Sequence, residues 1–144
     1  LPCADGDWTD VITASLCAHC HACLNNCPTG AIQKQRFLID NESCLSYFNE
    51  RAEPFPEWLP KESHHCVYDC LQCQMSCPMN KGHVKHVVGP IQFTELETNE
   101  LLSGIPFEAY TNSFKKKAGY LGFHQWPDGI AKNINVLIEL SEQK

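Results

Sequence analysis

Cysteine carries the reactive chemistry of this chain, and its spacing says which. Four cysteines fall within CAHCHACLNNCPTGAI, at Cys17, Cys20, Cys23 and Cys27, and three more in YDCLQCQMSCPMN, at Cys70, Cys73 and Cys77. Thiolates two residues apart can wrap three corners of a [4Fe–4S] cubane in one tight loop. A fourth cysteine three residues further on, followed by proline, is turned away to serve a second cluster. Disulfide scaffolds instead spread their cysteines, because a bridge stabilises more when it closes a longer loop. Zinc takes four ligands, usually from paired motifs, and three cysteines at two-residue gaps do not suit one tetrahedral ion. His19 and His21, between the cysteines, read as loop surface.

The second run lacks its front cysteine: the expected position holds Val67, and Cys66 is one residue out of register. Cys44 offers the missing thiolate. Between Cys27 and Cys44, Ala31-Ile32 and Phe37–Ile39 could pair as a small hairpin, and Asp40 or Asn41 could cap a helix carrying Cys44. That is the route by which a two-cluster bacterial ferredoxin passes from its first run to its second. Crossed ligation then gives cluster 1 Cys17, Cys20, Cys23 and Cys77, and cluster 2 Cys27, Cys44, Cys70 and Cys73. Cys66 is the alternative to Cys44 as eighth ligand. Cys3 is left over as a thiol, as is Cys66 if Cys44 binds.

The elements that must position these ligands follow from the rest of the chain. Its 144 residues, ten of them cysteine, carry a formal net charge of −6. An acidic balance with no Lys/Arg-rich face argues against nucleic acid; Lys115-Lys116-Lys117 reads as one solvated helical turn. No apolar run approaches about 18 residues, so no membrane span is expected. The first fifteen residues lack the basic start and apolar block of a secretory signal, and a cytoplasmic protein is expected. A chain beginning with Leu is expected to be trimmed or cut from a longer protein. GxSxG, HExxH and Gly-rich phosphate loops are absent, which leaves hydrolytic chemistry without support. His64 and His65, beside a Pro-rich loop, are expected to face solvent and not to pair with Cys66 in catalysis.

The expected fold is α+β, mostly helix and loop: a bacterial-ferredoxin-like double-cluster domain with a small hairpin, then a C-terminal helical tail. Residues 1–16 form a lead-in, 17–89 the cluster domain and 90–144 the tail. RAEPFPEWLPKES (51–63) reads as a surface loop. Thr94-x-x-Glu97 fits a capping box opening a helix that stops near Gly104. Pro106 could open a second helix carrying Phe107, Tyr110 and Phe114. A third, from about Pro127, places Ile130, Ile134, Leu137, Ile138 and Leu140 along one core-facing stripe.

CAHCHACLNNCPTGAI, ESCLSYFNE and YDCLQCQMSCPMN together resemble, in order and spacing, the double-cluster domain of epoxyqueuosine reductase and related reductive-dehalogenase-like cobalamin enzymes. The resemblance covers about residues 17–80 and extends weakly to AKNINVLIEL; Ala18 and Met79 stand where the family usually carries Gly and Trp. It implies that the isolated cysteine of ESCLSYFNE, Cys44, is a ligand. It also implies a module that supplies electrons to a corrinoid, cluster 1 lying nearer the cobalamin. Cobalamin and the catalytic acid would belong to an N-terminal domain of a parent oxidoreductase, and the electrons would come from a ferredoxin- or flavodoxin-type donor. This chain alone is not expected to be catalytic. The other readings are a free-standing ferredoxin-like carrier and a zinc-stapled structural domain.

Overall fold

A computed structural model of the chain describes residues 15–34, 39–86 and 89–143. Cys3 and the remainder of the lead-in to residue 14, and most of the second arm of the expected hairpin, lie outside the described residues. Four short helices belong to the cysteine-rich part: α1 (Ser15–His19), α2 (Ala22–Asn25), α3 (Leu45–Asn49) and α4 (Gln72–Met75). Three longer ones form the tail: α5 (Glu95–Leu102), α6 (Asn112–Leu121) and α7 (Pro127–Glu142).

The tail helices start where local chemistry tells them to. At α5 the Thr94 hydroxyl accepts from the Glu97 N–H (3.2 Å) while Glu97 Oε2 accepts from the Thr94 N–H (2.8 Å), the reciprocal capping box. At α6 the Thr111 hydroxyl accepts from the Phe114 N–H at 3.4 Å. Pro127 opens α7, where its missing N–H is no loss, and Asp128 sits in the first turn, where the helix dipole favours a negative charge. The core they enclose holds Leu101, Tyr110, Phe114, Ala118 and Ile130. Phe114 is its centre, edge-on to Tyr110 with centroids 4.7 Å apart. Buried Glu97 ties α5 to α6 by accepting from Lys117 Nζ (2.6 Å) and Ser113 Oγ (2.7 Å).

The cysteine-rich part has far less core of its own. Its buried apolar residues are Ala31, Leu45 and Leu59. It leans on α7 instead. Asn133 Nδ2 donates to the carbonyls of Asn49 (2.9 Å) and Val67 (2.8 Å), and Lys132 Nζ to those of Phe48 (2.7 Å) and Glu53 (3.0 Å). Phe48 and Asn49 end α3, Glu53 lies in the loop beyond it, and Val67 lies in the segment that leads to Cys70. Gly129 makes the approach possible, since a Cβ there would stand 2.8 Å from the Asn49 carbonyl oxygen.

Several expectations are corrected. Among the described residues there is no strand, and the described chain is helix and loop; Ile32 and Ile39 form one isolated antiparallel bridge where the hairpin is expected. Cys44 precedes its helix at the N-cap position of α3, after a single 3-10 turn over Asn41–Ser43. Pro106 opens only a 3-10 turn over Phe107–Ala109; the helix waits for the Thr111 cap, so Tyr110 lies before it. Ile138 falls on the exposed side of α7 while Ile130 is buried. Loop 51–63 is mostly exposed but buries Leu59 and Ser63. Lys117 is ion-paired to Glu97, so the lysine run is not wholly solvated. His64 is buried edge-on against Phe55, centroids 4.2 Å apart, whereas His65 is exposed.

Candidate functional site

The two cysteine runs are built alike. In each, the middle cysteine (Cys20 or Cys70) precedes a one-turn helix carrying the next (Cys23 in α2, Cys73 in α4). The last cysteine (Cys27 or Cys77) follows two residues beyond the helix and precedes proline. α2 and α4 pack on each other, with Ser76 Oγ 3.5 Å from the Ala22 carbonyl. Cys17 sits on α1 and Cys44 at the head of α3. Among the described residues none of the nine cysteines is in a disulfide.

Two sets of four cysteines come together. Cys27, Cys44, Cys70 and Cys73 line one cavity of about 260 Å³. Cys17, Cys20, Cys23 and Cys77 line a second, tighter recess of about 30 Å³. Each set draws on both runs, Cys27 joining the second and Cys77 the first. Cys66 lines neither. Its half-buried sulfur faces Asn49, whose Nδ2 is 3.5 Å away, and burial is the main cause that pushes its thiol up to about 11.

The larger site has a distinct electrostatic character. Burial pushes the Cys70 and Cys73 thiols up, and charge on the other thiols of the set pushes further: Cys44, Cys73 and Cys27 act on Cys70, and Cys27 and Cys44 on Cys73. Four thiolates there oppose one another unless a cation balances them, and iron supplies that balance by coordination. Cys27 is pulled the other way. Burial raises it, but the backbone N–H groups of Thr29, Ile32 and Ala31, with the Thr29 hydroxyl, outweigh burial and hold it below the ordinary thiol range. The turn presenting those N–H groups runs through Gly30 at φ +71°, a left-handed conformation natural to glycine. Donors of this kind also tune a cluster's sulfurs.

Cys70 is held by strain. Asp69 and Leu71, on either side of it, both lie in the left-handed region at φ 44° and 53°. Such residues cost roughly 1–3 kcal/mol each and persist only where their surroundings dictate the conformation. Here Ser46 Oγ accepts from the Cys70 N–H at 2.9 Å, and Asn133 fixes Val67. Tyr68 packs against Phe123 and Trp126 of the tail, centroids 5.8 and 5.5 Å away. His65 completes the neighbourhood, with Nε2 3.8 Å from Cys70 Sγ and 3.2 Å from the Cys70 carbonyl. The bracing residues Gly129, Lys132 and Asn133, and the strain at Asp69 and Leu71, carry no motif in the sequence. One unused signal was available: no Asp or Glu occurs between Asp10 and Asp40, or between Asp69 and Glu95, in a chain with 17 acids. Negatively charged thiolate clusters disfavour further negative charge nearby.

The donor chemistry therefore fits iron–sulfur clusters, four thiols to a site. The larger cavity adds room, while the tighter recess rests on its donor set alone. Among the described residues no three His, Cys, Asp or Glu side chains converge on a single-ion site.

Residues 16–80 match the family described as 4Fe-4S double cluster binding domain. Beyond that match, the chain is similar to epoxyqueuosine reductases. That of Listeria monocytogenes is 32% identical over 77 residues, which cover 54% of this chain and 20% of the relative. That of Bacillus subtilis is 30% identical over 113 residues, covering 78% of this chain and 28% of the relative. An uncharacterized protein in gldA 3'region of Geobacillus stearothermophilus is 31% identical over 132 residues, 89% of this chain and 58% of that protein. The chain thus spans between a fifth and a little over a quarter of these two reductases. No solved structure matches it. No helix among the described residues is long and apolar enough to cross a membrane.

Proposed function

We propose that the chain is the electron-transfer part of a cytoplasmic, cobalamin-dependent reductase of the epoxyqueuosine-reductase type, holding two [4Fe–4S] clusters. Cys17, Cys20, Cys23 and Cys77 hold the first; Cys27, Cys44, Cys70 and Cys73 hold the second. A [4Fe–4S] cluster supplies one-electron redox chemistry at a potential set by its protein surroundings. The observation that carries the reading is the sorting of eight cysteines into two sets of four, each crossing between the runs. Cys44 lines the larger cavity and Cys66 does not, which supports Cys44 as the eighth ligand.

The chain's own residues do four things. The thiolates bind iron. The N–H groups around Cys27 stabilise negative charge on its sulfur. Ser46 and the strained Asp69–Leu71 segment aim Cys70. The tail helix α7 holds α3 and Val67 in place behind the larger site. The chain's role is to relay electrons from a small donor protein to a corrinoid held by a preceding domain. The relatives' names and the double-cluster match support this placement.

Anaerobic iron and sulfide quantitation with EPR of the reduced protein tests the reading. About eight iron and eight sulfide per chain, with two interacting paramagnetic centres, is the expected result. Stoichiometric zinc with no acid-labile sulfide would replace this reading with a structural zinc domain.

A further inference from the structure

Beside the larger cysteine cavity, and sharing Leu71 and Gln74 with it, lies an open groove of about 440 Å³ that the cluster sites do not use. Its apolar surface is exposed for reasons the fold makes plain. Leu71 is 45% exposed in its left-handed conformation, Met75 is 57% exposed on α4, and Val84 is 38% exposed. Met79, 68% exposed, extends the apolar surface along the chain toward the other cysteine set, whose recess it lines. None of these side chains is needed for the core. Apolar side chains gathered on one face mark an interaction site more often than chance exposure does. Methionine in particular lets a surface adapt to a partner's shape.

The segment that lines the groove differs in charge from the chain as a whole. The chain is acidic, with a net charge of −6, yet residues 70–94 contain neither Asp nor Glu. The same stretch carries Lys81 and Lys85, with His83 and His86 between and after them, all exposed. The two imidazoles stand edge to face, with centroids 5.9 Å apart, and both line the groove. An apolar groove whose lining segment carries exposed lysines and no acid, beside a redox site, complements a protein with an acidic rim of its own.

We infer that this groove, centred on Leu71, Met75 and Val84, with Lys81 and Lys85 exposed in the same stretch of turns as its lining residues His83, Val84 and His86, is the docking surface for an acidic one-electron carrier protein. The inference rests on the electron-transfer reading and adds the place of entry, next to the site of Cys27, Cys44, Cys70 and Cys73. Docking here serves transfer of one electron, which oxidises the carrier and reduces the chain; no bond is made or broken. Such contacts are small and transient, and opposite charge contributes mostly to the rate and salt dependence of association.

The test is binding of an acidic flavodoxin to the iron-loaded chain, measured by calorimetry across a salt series. Three variants are compared with the natural chain: K81E/K85E, the charge-neutral K81Q/K85Q, and K116E on exposed α6 as a control. Charge reversal is expected to weaken binding roughly tenfold or more, with the neutral pair between and K116E close to the natural chain. Added salt should weaken the natural complex and not the reversed one. Equal affinity for K81E/K85E and the natural chain, an equal loss with K116E, or no flavodoxin binding by the natural chain would each overturn the docking site. Iron and sulfide content, measured on the same samples, reports separately on the cluster reading.

Discussion

What surrounds a sulfur decides whether it can serve iron, and Cys44 and Cys66 make the comparison. Cys44 opens onto the cavity shared with Cys27, Cys70 and Cys73, and its charge is felt by Cys70 and Cys73. Cys66 is half-buried, faces the Asn49 amide and lines neither cysteine site, and burial pushes its thiol up to about 11. Cys44→Ser is therefore expected to lower iron and sulfide to about half while keeping the EPR signal of one reduced cluster. Cys66→Ser should retain full iron and shift stability by no more than about 1 kcal/mol, since serine can also accept from Asn49. Full iron in the first variant together with loss in the second would exchange the two assignments. The two runs were legible in the sequence because cluster ligands sit at fixed short spacings. The environment of Cys66 was not, because Asn49 is 17 residues away and only the fold brings it there.

The same division between local and distant causes runs through the elements. The Thr94–Glu97 capping box and the Pro127 start of α7 are written within a few residues and were readable. Proline at 106 opens only a 3-10 turn because the cap that starts α6 is Thr111, and the burial of His64 depends on packing against Phe55 that no periodicity encodes. Nor did any pattern show that α7 braces the cysteine-rich part. Its stripe reads as core, but its most consequential residues are Gly129, Lys132 and Asn133, which meet α3 and the loop after it. Lys132 also lies over the Phe55 ring, 3.8 Å from its centroid. Gly129→Ala tests that brace. The new methyl would meet the Asn49 carbonyl at 2.8 Å, and a backbone atom cannot swing aside. Overpacking costs about 1–3 kcal/mol, against roughly 1 kcal/mol gained from alanine's helix propensity, so a net loss of up to about 2 kcal/mol is expected in denaturant titration. Because Cys44 heads α3, the variant should also release iron from the second site faster than from the first. Unchanged stability and equal release would show that α7 does not brace that site.

For the molecule as a whole, Lys132, Cys66 and Glu97 are the groups whose titrations are displaced furthest, and they shape how stability depends on pH. Lys132 is pushed down from 10.5 to about 8 by burial, with Glu53 opposing. The unfolded chain then binds more protons between those values, and stability rises with pH across that window. Cys66, raised from 9.0 to about 11, acts oppositely: the folded chain holds its proton longer, and stability falls across that range. The two windows overlap in alkali and offset each other there. On the acid side Glu50, pushed up by burial, acts against the more strongly displaced Glu97. Its hydrogen bond from Lys117, then those from the Thr94 N–H and the Ser113 hydroxyl, hold it down from 4.5 to about 2. A depressed carboxylate contributes stability that is complete above its unfolded value and lost as pH falls through the folded one. Glu97→Gln isolates the charge, because glutamine can still close the capping box. The variant should melt below the natural chain by a constant interval from about pH 5 to 8, and the interval should shrink below about 4.5 and vanish near 2. Thermal unfolding followed by far-ultraviolet circular dichroism measures it on the helices Glu97 joins. An interval that held steady down to pH of about 2, or widened on acidification, would mean the carboxylate's charge does not hold α5 against α6.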